Sequence, residues 1–153
     1  MTSNMFLERL EDLSVYYLIK DLFNATPGIT IVDDYPVTDL VIPSIAINAG
    51  KLRLEGFELG NRDELRARKW YIDVYAKNKA QRDDFGYKIL NAFKDGINIY
   101  DYNQGFPPAS GIPIIEHMDV PSKELDPIRI DPNLVDKMYY RVTITIGAVN
   151  DTV

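Results

Sequence analysis

The chain has 153 residues, 46% of them hydrophobic and 26% charged, which suits one globular domain large enough to bury a core. It has no cysteine, so disulfides, thiolate metal sites and cysteine nucleophiles are excluded. The net charge of −6 is the wrong sign for nonspecific binding of nucleic-acid phosphates, and no apolar run is long enough to span a membrane.

The chain opens with MTSNMFLERLEDLS, which lacks the basic start and unbroken apolar run of a signal peptide and reads instead as a helix. Thr2, Ser3 and Asn4 are candidate N-caps, and Glu8 is placed where the helix dipole favours an acid. Phe6, Leu10, Leu13 and Tyr17, widened by Leu18 and Leu22, form a helical stripe predicted to pack on a sheet. Pro27-Gly28 stops the helix by Asn24.

Two short strands are predicted next, over 29–32 and 44–48, separated by the turn chemistry of Asp33, Asp34 and Pro36. Ala49-Gly50 signals a turn. Leu52, Leu54, Phe57 and Leu59 then follow with a break in alternation at Gly56 that suggests a bulge or bend. Residues 62–69 form a polar connection of mixed sign. From 69 to 76 the alternation is clean: Trp70, Ile72, Val74 and Ala76 are predicted to face the core, and Lys69, Tyr71, Asp73 and Tyr75 the other side.

A helix over 79–95 is signalled by Asn78 as N-cap with Gln81 three residues on, a variant of the capping box. Asp83 and Asp84 are assigned to its first turn, with Lys88 and Lys94 toward its end. Phe85, Ile89, Ala92 and Phe93 make its buried stripe, and Gly96 is a Schellman-like stop. A strand over 97–103 follows.

Residues 103–134 are rich in proline (Pro107, Pro108, Pro113, Pro121, Pro127 and Pro132) yet also apolar, with only 112–120 strand-like. The reading is an extended Pro-rich arm or hairpin over 104–134 that packs on something else. A long strand over 135–149 closes the chain, with Met138, Tyr140, Val142, Ile144, Ile146 and Ala148 on one face. Strands in blocks with two helices predict an α+β fold. It is a single domain over 1–153 with a mostly antiparallel sheet and both helices on one face.

Little in the chain points to chemistry. His117 is the only histidine; with Glu116 and Asp119 it is a conceivable metal site, but neighbours in a strand point to opposite faces. Asp33, Asp34 and Asp39 could hold Mg²⁺ or act as acid and base, though Asp-Asp before proline is ordinary turn chemistry. No phosphate-binding glycine loop or nucleophile elbow occurs, and no cofactor is implied. Ten tyrosines, several in near pairs (Tyr16 and Tyr17, Tyr71 and Tyr75, Tyr100 and Tyr102, Tyr139 and Tyr140), fit equally a sheet face covered by a neighbour or simple strand preference.

Five features carry a resemblance: FELG at 57–60, the arginines Arg66 and Arg68, WYIDVYA at 70–76, QRDD at 81–84 and INIYDYN at 97–103. With the order of elements, they resemble the tail terminator (tail completion) and neck proteins of tailed bacteriophages. The match covers residues 3–103 and the final strand. It implies a structural protein, not an enzyme: a homo-oligomer, expected to be a hexameric ring, assembled in the host cytoplasm and carried in the tail or neck of the virion. Such a ring would end polymerisation of the tail tube protein and present a docking face to the head-completion or connector protein. DNA would pass through its lumen without specific binding.

Interfaces are expected at the mixed-charge run (Arg62, Arg66, Arg68 and Lys69) and on the arm (Phe106, Ile114 and Ile128). The alternatives are a head-completion or stopper protein of the same junction, a small metal-dependent enzyme built on Asp33, Asp34 and His117, and a monomeric ligand-binding module.

Overall fold

A computed structural model describes residues 5–32, 43–56, 64–105, 112–128 and 140–150. In chain order the elements are α1 (Leu7–Leu22), β1 (Thr30–Val32), β2 (Ser44–Gly56), β3 (Glu64–Ala76), α2 (Lys79–Ala92), β4 (Ile97–Tyr100), a 3₁₀ turn (Tyr102–Gln104), β5 (Ile114–Ile128) and β6 (Tyr140–Asn150). The strands form one six-stranded sheet in the order β1-β2-β3-β6-β5-β4. Only β1 and β2 pair in parallel; every other pair is antiparallel. The predicted α+β fold is therefore the observed one.

Strand parity builds the core. Trp70, Ile72 and Val74 of β3 lie opposite Ile146, Ile144 and Val142 of β6, and all six are buried on one face. Side chains of this size each contribute roughly 1.5–3 kcal/mol on burial. Both helices cover that face. α1 sits over the N-terminal half of β3, where Asp12 accepts a hydrogen bond from the Trp70 indole. α2 sits over β6 and β5, where Gly86 faces Val142 and Leu125. Phe23 and Phe85 join the helices edge to face at 5.1 Å between ring centroids.

α2 starts as predicted. The Gln81 amide donates to Asn78 Oδ1 at 2.8 Å, while Gln81 Oε1 accepts from the Lys77 amide, one residue before the cap. Asp83 and Asp84 lie beyond its first turn, contrary to expectation, and Asp83 pairs with Arg82 at 3.1 Å. The helix ends sooner than 95, with Phe93 as its C-cap. Gly96 lies three residues further on at φ +85°, where a Cβ would stand 2.4 Å from the Met118 carbonyl oxygen. A side chain there would meet backbone, so glycine is required for both conformation and space.

Four further expectations change. α1 is capped by Phe6, which uses no side-chain bond and is 83% exposed, so it is not part of the buried stripe; Thr2, Ser3 and Asn4 lie outside the described residues. The most buried face of α1 is Leu10, Glu11, Ser14, Val15 and Ile19, rotated from the predicted stripe because it includes two polar residues. Ala49-Gly50 is not a turn. It is a bulge inside one continuous strand, where three residues of β2 advance against two of β3. A Cβ at Gly50 would come 2.5 Å from the Tyr71 ring, so a side chain there would displace that ring.

The 104–134 arm is the fourth change. Residues 114–128 are β5, hydrogen-bonded to β4 through its first part and to β6 through its second. Pro121 falls in a bulge between Asp119 and Ser122, and Pro127 lies in a strand that, past Met118, has β6 as its only described neighbour. Both are places where a sheet tolerates proline. Residues 106–111 and 129–134 of the predicted arm lie outside the described residues, as do Asp33, Asp34, Asp39, all of FELG, Met138 and Tyr139.

Candidate assembly surfaces

The mixed-charge run resolves into two opposite faces. Arg66 and Arg68 share the parity of Trp70 and point at α1; Lys69 points the other way and is exposed. On α1, Glu8, Glu11 and Asp12 fall at spacings of three and four, which places them on one side of the helix. The two arginines meet them there.

Arg66 grips Glu11 with both Nη2 (3.0 Å) and Nε (3.3 Å), and Nη2 also reaches Glu8 at 3.3 Å. Arg68 Nη1 donates to Glu11 at 2.9 Å and to the Glu8 carbonyl at 3.1 Å. Its Nη2 donates to Asp12 at 2.6 Å, and its guanidinium lies 4.9 Å from the centre of the Trp70 ring. Glu11 is 0% exposed. Forked, charge-assisted bonds of this kind offset the cost of burying the charges.

The electrostatics agree. The Glu8 carboxyl is held below its usual value of 4.5 by hydrogen bonding from its own backbone amide, opposed by burial and helped by the Arg66 charge. Burial works against the Arg66 guanidinium, but its hydrogen bond and charge pairing with Glu11, and then with Glu8, raise it above its ordinary value. Glu116 of β5 is pushed up, first by burial and then by the negative charge of Glu11. Arg66 and Arg68 thus form an internal fastening of β3 to α1.

A second fastening joins α1 to the β4 end. Ser14 Oγ donates to the Leu10 carbonyl at 2.7 Å and accepts the Tyr100 amide at 3.1 Å. Asn103 clamps Met5 by accepting from its amide at 2.7 Å and donating to its carbonyl at 3.4 Å. Tyr17 stacks on Tyr102 at 5.3 Å, and burial pushes the Tyr102 phenol up to about 12. These tyrosines are spent inside the fold.

The remaining predicted site residues scatter. Ile114 begins β5 at 53% exposed, beside the exposed Ile115. The Ile128 backbone pairs with Arg141. Arg62 and Phe106 lie outside the described residues. His117 Nδ1 is 2.8 Å from Asn98 Oδ1, its Nε2 is 3.7 Å from Asp119, and no group of three metal-ligating side chains occurs among the described residues.

The helix-free face of the sheet is polar. Asp73, 1% exposed, accepts from Thr143 Oγ1 at 2.6 Å and pairs with Arg141 Nη2 at 3.2 Å; the Arg141 guanidinium lies 5.2 Å from the centre of the Tyr75 ring. Toward the other end of this face runs a shallow groove of about 310 Å³. Lys51, Arg53 and Lys69 line it above a floor that includes Ala67, Ser122 and Gly147. No acidic residue is among its described lining residues. Lys51 and Arg53 were missed as site residues. The signal was KLRL itself, where strict alternation of cation and leucine marks a strand with two different faces.

No family model matches the chain, and no curated protein matches it. Solved structures do. One, carrying no functional description, aligns over 95% of this chain and 96% of its own with a TM-score of 0.63 and 8% identity. Another, a chain from the virion of a native gene transfer agent particle, aligns over 92% of this chain and 94% of its own with a TM-score of 0.50 and 9% identity. At such identities the shared property is the fold, and it extends over nearly the whole length of all three chains.

Proposed function

We propose that this chain is a structural subunit of a phage-like virion. Within it, the chain forms the ring that closes the head-proximal end of the tail tube and receives the head connector. The observation that carries the reading is the near end-to-end agreement in fold with a chain of a gene transfer agent virion, which the sequence resemblance to tail terminator proteins joins independently.

The mechanism is steric and interfacial. A ring of identical subunits uses a heterologous contact that closes after a fixed rotation. Once seated, it covers the surface on which the next ring of tube subunits would add. The net charge of −6 opposes retention of DNA in the lumen. The ion pairs of Arg66 and Arg68 fasten the sheet to α1, so that helix and sheet would enter the ring as one body.

Virions made without this protein test the reading. Over-long tail tubes that fail to join heads are the expected result, together with co-purification of the chain with tails. Normal tails lacking heads, with the chain found on heads, would instead assign it to the stopper at the same junction. Infectious virions of normal length would overturn the proposal.

A further inference from the structure

The sheet ends in two unlike edges. β1 covers only Ser44–Ala46 of β2, so beyond the bulge Lys51, Leu52, Arg53 and Leu54 have no described strand on their outer side. At the opposite end of the strand order, β4 covers β5 only as far as Met118. From Ser122 onward, β5 has β6 as its only described neighbour. An edge of this kind is a template for another strand.

The two edges are complementary in charge, apolar pattern and length. On β2, Leu52 and Leu54 lie opposite Arg68 and Arg66, hence on the helix side, and are 38% and 42% exposed; Lys51 and Arg53 lie on the helix-free side. On β5, Glu124 and Asp126 lie opposite Thr145 and Thr143, hence on the helix-free side and exposed; Leu125, opposite Ile144, lies on the helix side. Each edge therefore presents two like charges at i and i+2 on the same face, with opposite signs; on the other face β2 carries Leu52 and Leu54, and β5 carries Leu125 beside the exposed Lys123. Pro121 and Pro127 bracket the β5 segment and restrict pairing to the residues between them, which sets register.

We infer that the β2 edge of one copy pairs with the β5 edge of a second copy, continuing the sheet from subunit to subunit, and that this is the contact that closes the ring. A continuous sheet keeps its faces, so Arg53 and Lys51 meet Glu124 and Asp126 on one side, while on the other Leu52 meets Leu125 and Leu54 meets the aliphatic stem of Lys123. The occupant is a second copy because a single repeated operation satisfies both edges of every subunit. A symmetric pairing of like edges would instead oppose like charges. The inference rests on the ring reading and deepens it.

The test is a charge exchange. Lys51→Glu/Arg53→Glu makes both edges acidic; Glu124→Lys/Asp126→Lys makes both basic. Each variant alone is expected to self-associate about a hundredfold more weakly than the wild type, since like charges then face one another. An equimolar mixture is expected to recover rings, because the acidic β2 edge of the first fits the basic β5 edge of the second and the reverse pairing also matches. Sedimentation and binding to purified tail tubes give the readout.

Wild-type assembly by either variant alone, or failure of the mixture to assemble, overturns the edge assignment while the ring reading stands. A wild-type chain that forms no oligomer, free or on tail tubes, overturns both. A cysteine pair gives a second measurement that needs no charge reversal. The chain has no cysteine of its own, and β2 and β5 are three strand spacings, about 14 Å, apart within one copy, too far to be bridged. Oxidised Arg53→Cys/Glu124→Cys is expected to give a covalent ladder of multimers; a product that stays monomeric counts against the inference.

Discussion

Arg66 and Arg68 on β3 and Lys51 and Arg53 on β2 occupy neighbouring strands in almost the same stretch of sheet, with Arg53 directly opposite Ala67. One pair of cations is buried and the other exposed. The difference is parity. The arginines of β3 take the side chain positions that face α1, where three acids wait at helical spacing; the cations of β2 take the side with no helix. A charge pattern becomes an internal fastening or an external surface according to which face of the strand it falls on. The two pairs should therefore respond oppositely to mutation, the first through stability and the second through association.

The largest effect is expected at Glu11. Glu11→Ala leaves Arg66 and Arg68 buried without their shared carboxylate, and breaking a buried pair in this way costs about 3–5 kcal/mol. Urea unfolding followed by circular dichroism measures it. Replacing Glu11, Arg66 and Arg68 together by apolar residues of similar volume should cost far less, because no charge is then left stranded. If the triple variant is as unstable as the single one, the cluster matters for packing and not for charge.

Ser14→Ala comes next. It removes the acceptor of the Tyr100 amide where α1 meets β4, and an unpaired buried amide costs about 1–3 kcal/mol. Hydrogen exchange should show the loss concentrated at β4, with the Arg66 and Arg68 end of α1 unaffected. Uniform loss of protection would mean that the two fastenings form one cooperative unit.

The sequence announced some of this and hid the rest for reasons specific to each place. WYIDVYA alternates apolar and polar residues and buries its apolar face as read. Asn78 and Gln81 mark the start of α2 because capping chemistry is local. β3, however, begins at Glu64 and not at 69, since Arg66 and Arg68 occupy core-facing positions with polar residues that only Glu8, Glu11 and Asp12 make tolerable. The same pairing rotated the α1 stripe. Both differences have one cause: hydropathy is a property of single residues, while these charges are buried as a set. The prolines of 104–134 predict an arm; in β5, Pro121 sits at a bulge and Pro127 where β6 is the only described neighbour, places where a strand tolerates proline.

Acid sharpens the comparison further, because two carboxyls near the cluster have opposite signs. Glu8 is depressed below 4.5 in the fold, so it contributes stability above pH 4.5 that is lost as pH falls through its folded value. Glu116 is raised above 4.5, mainly by burial, so its contribution is full below pH 4.5 and is lost as pH rises through its folded value. Glu116→Gln should therefore raise the melting temperature at pH 7, with the gain vanishing below pH 4.5. A loss at pH 7 would mean that the Glu116 carboxylate makes a favourable contact in the fold.

The smallest effect on stability is expected on the outer cations. Lys51→Ala/Arg53→Ala removes two exposed side chains from an edge, and such changes fall within about 0.5 kcal/mol. The unfolding curve should superimpose on that of the wild type. Assembly should nevertheless weaken, and less than in the charge-reversed variant, since the like-charge repulsion is absent. The leucines of the edge are untouched and would still pair. A variant with wild-type stability and weakened assembly separates the two sets of cations by function. One that unfolds early would show that the distal part of β2 is held in place by its cations, making them a second fastening and not a surface.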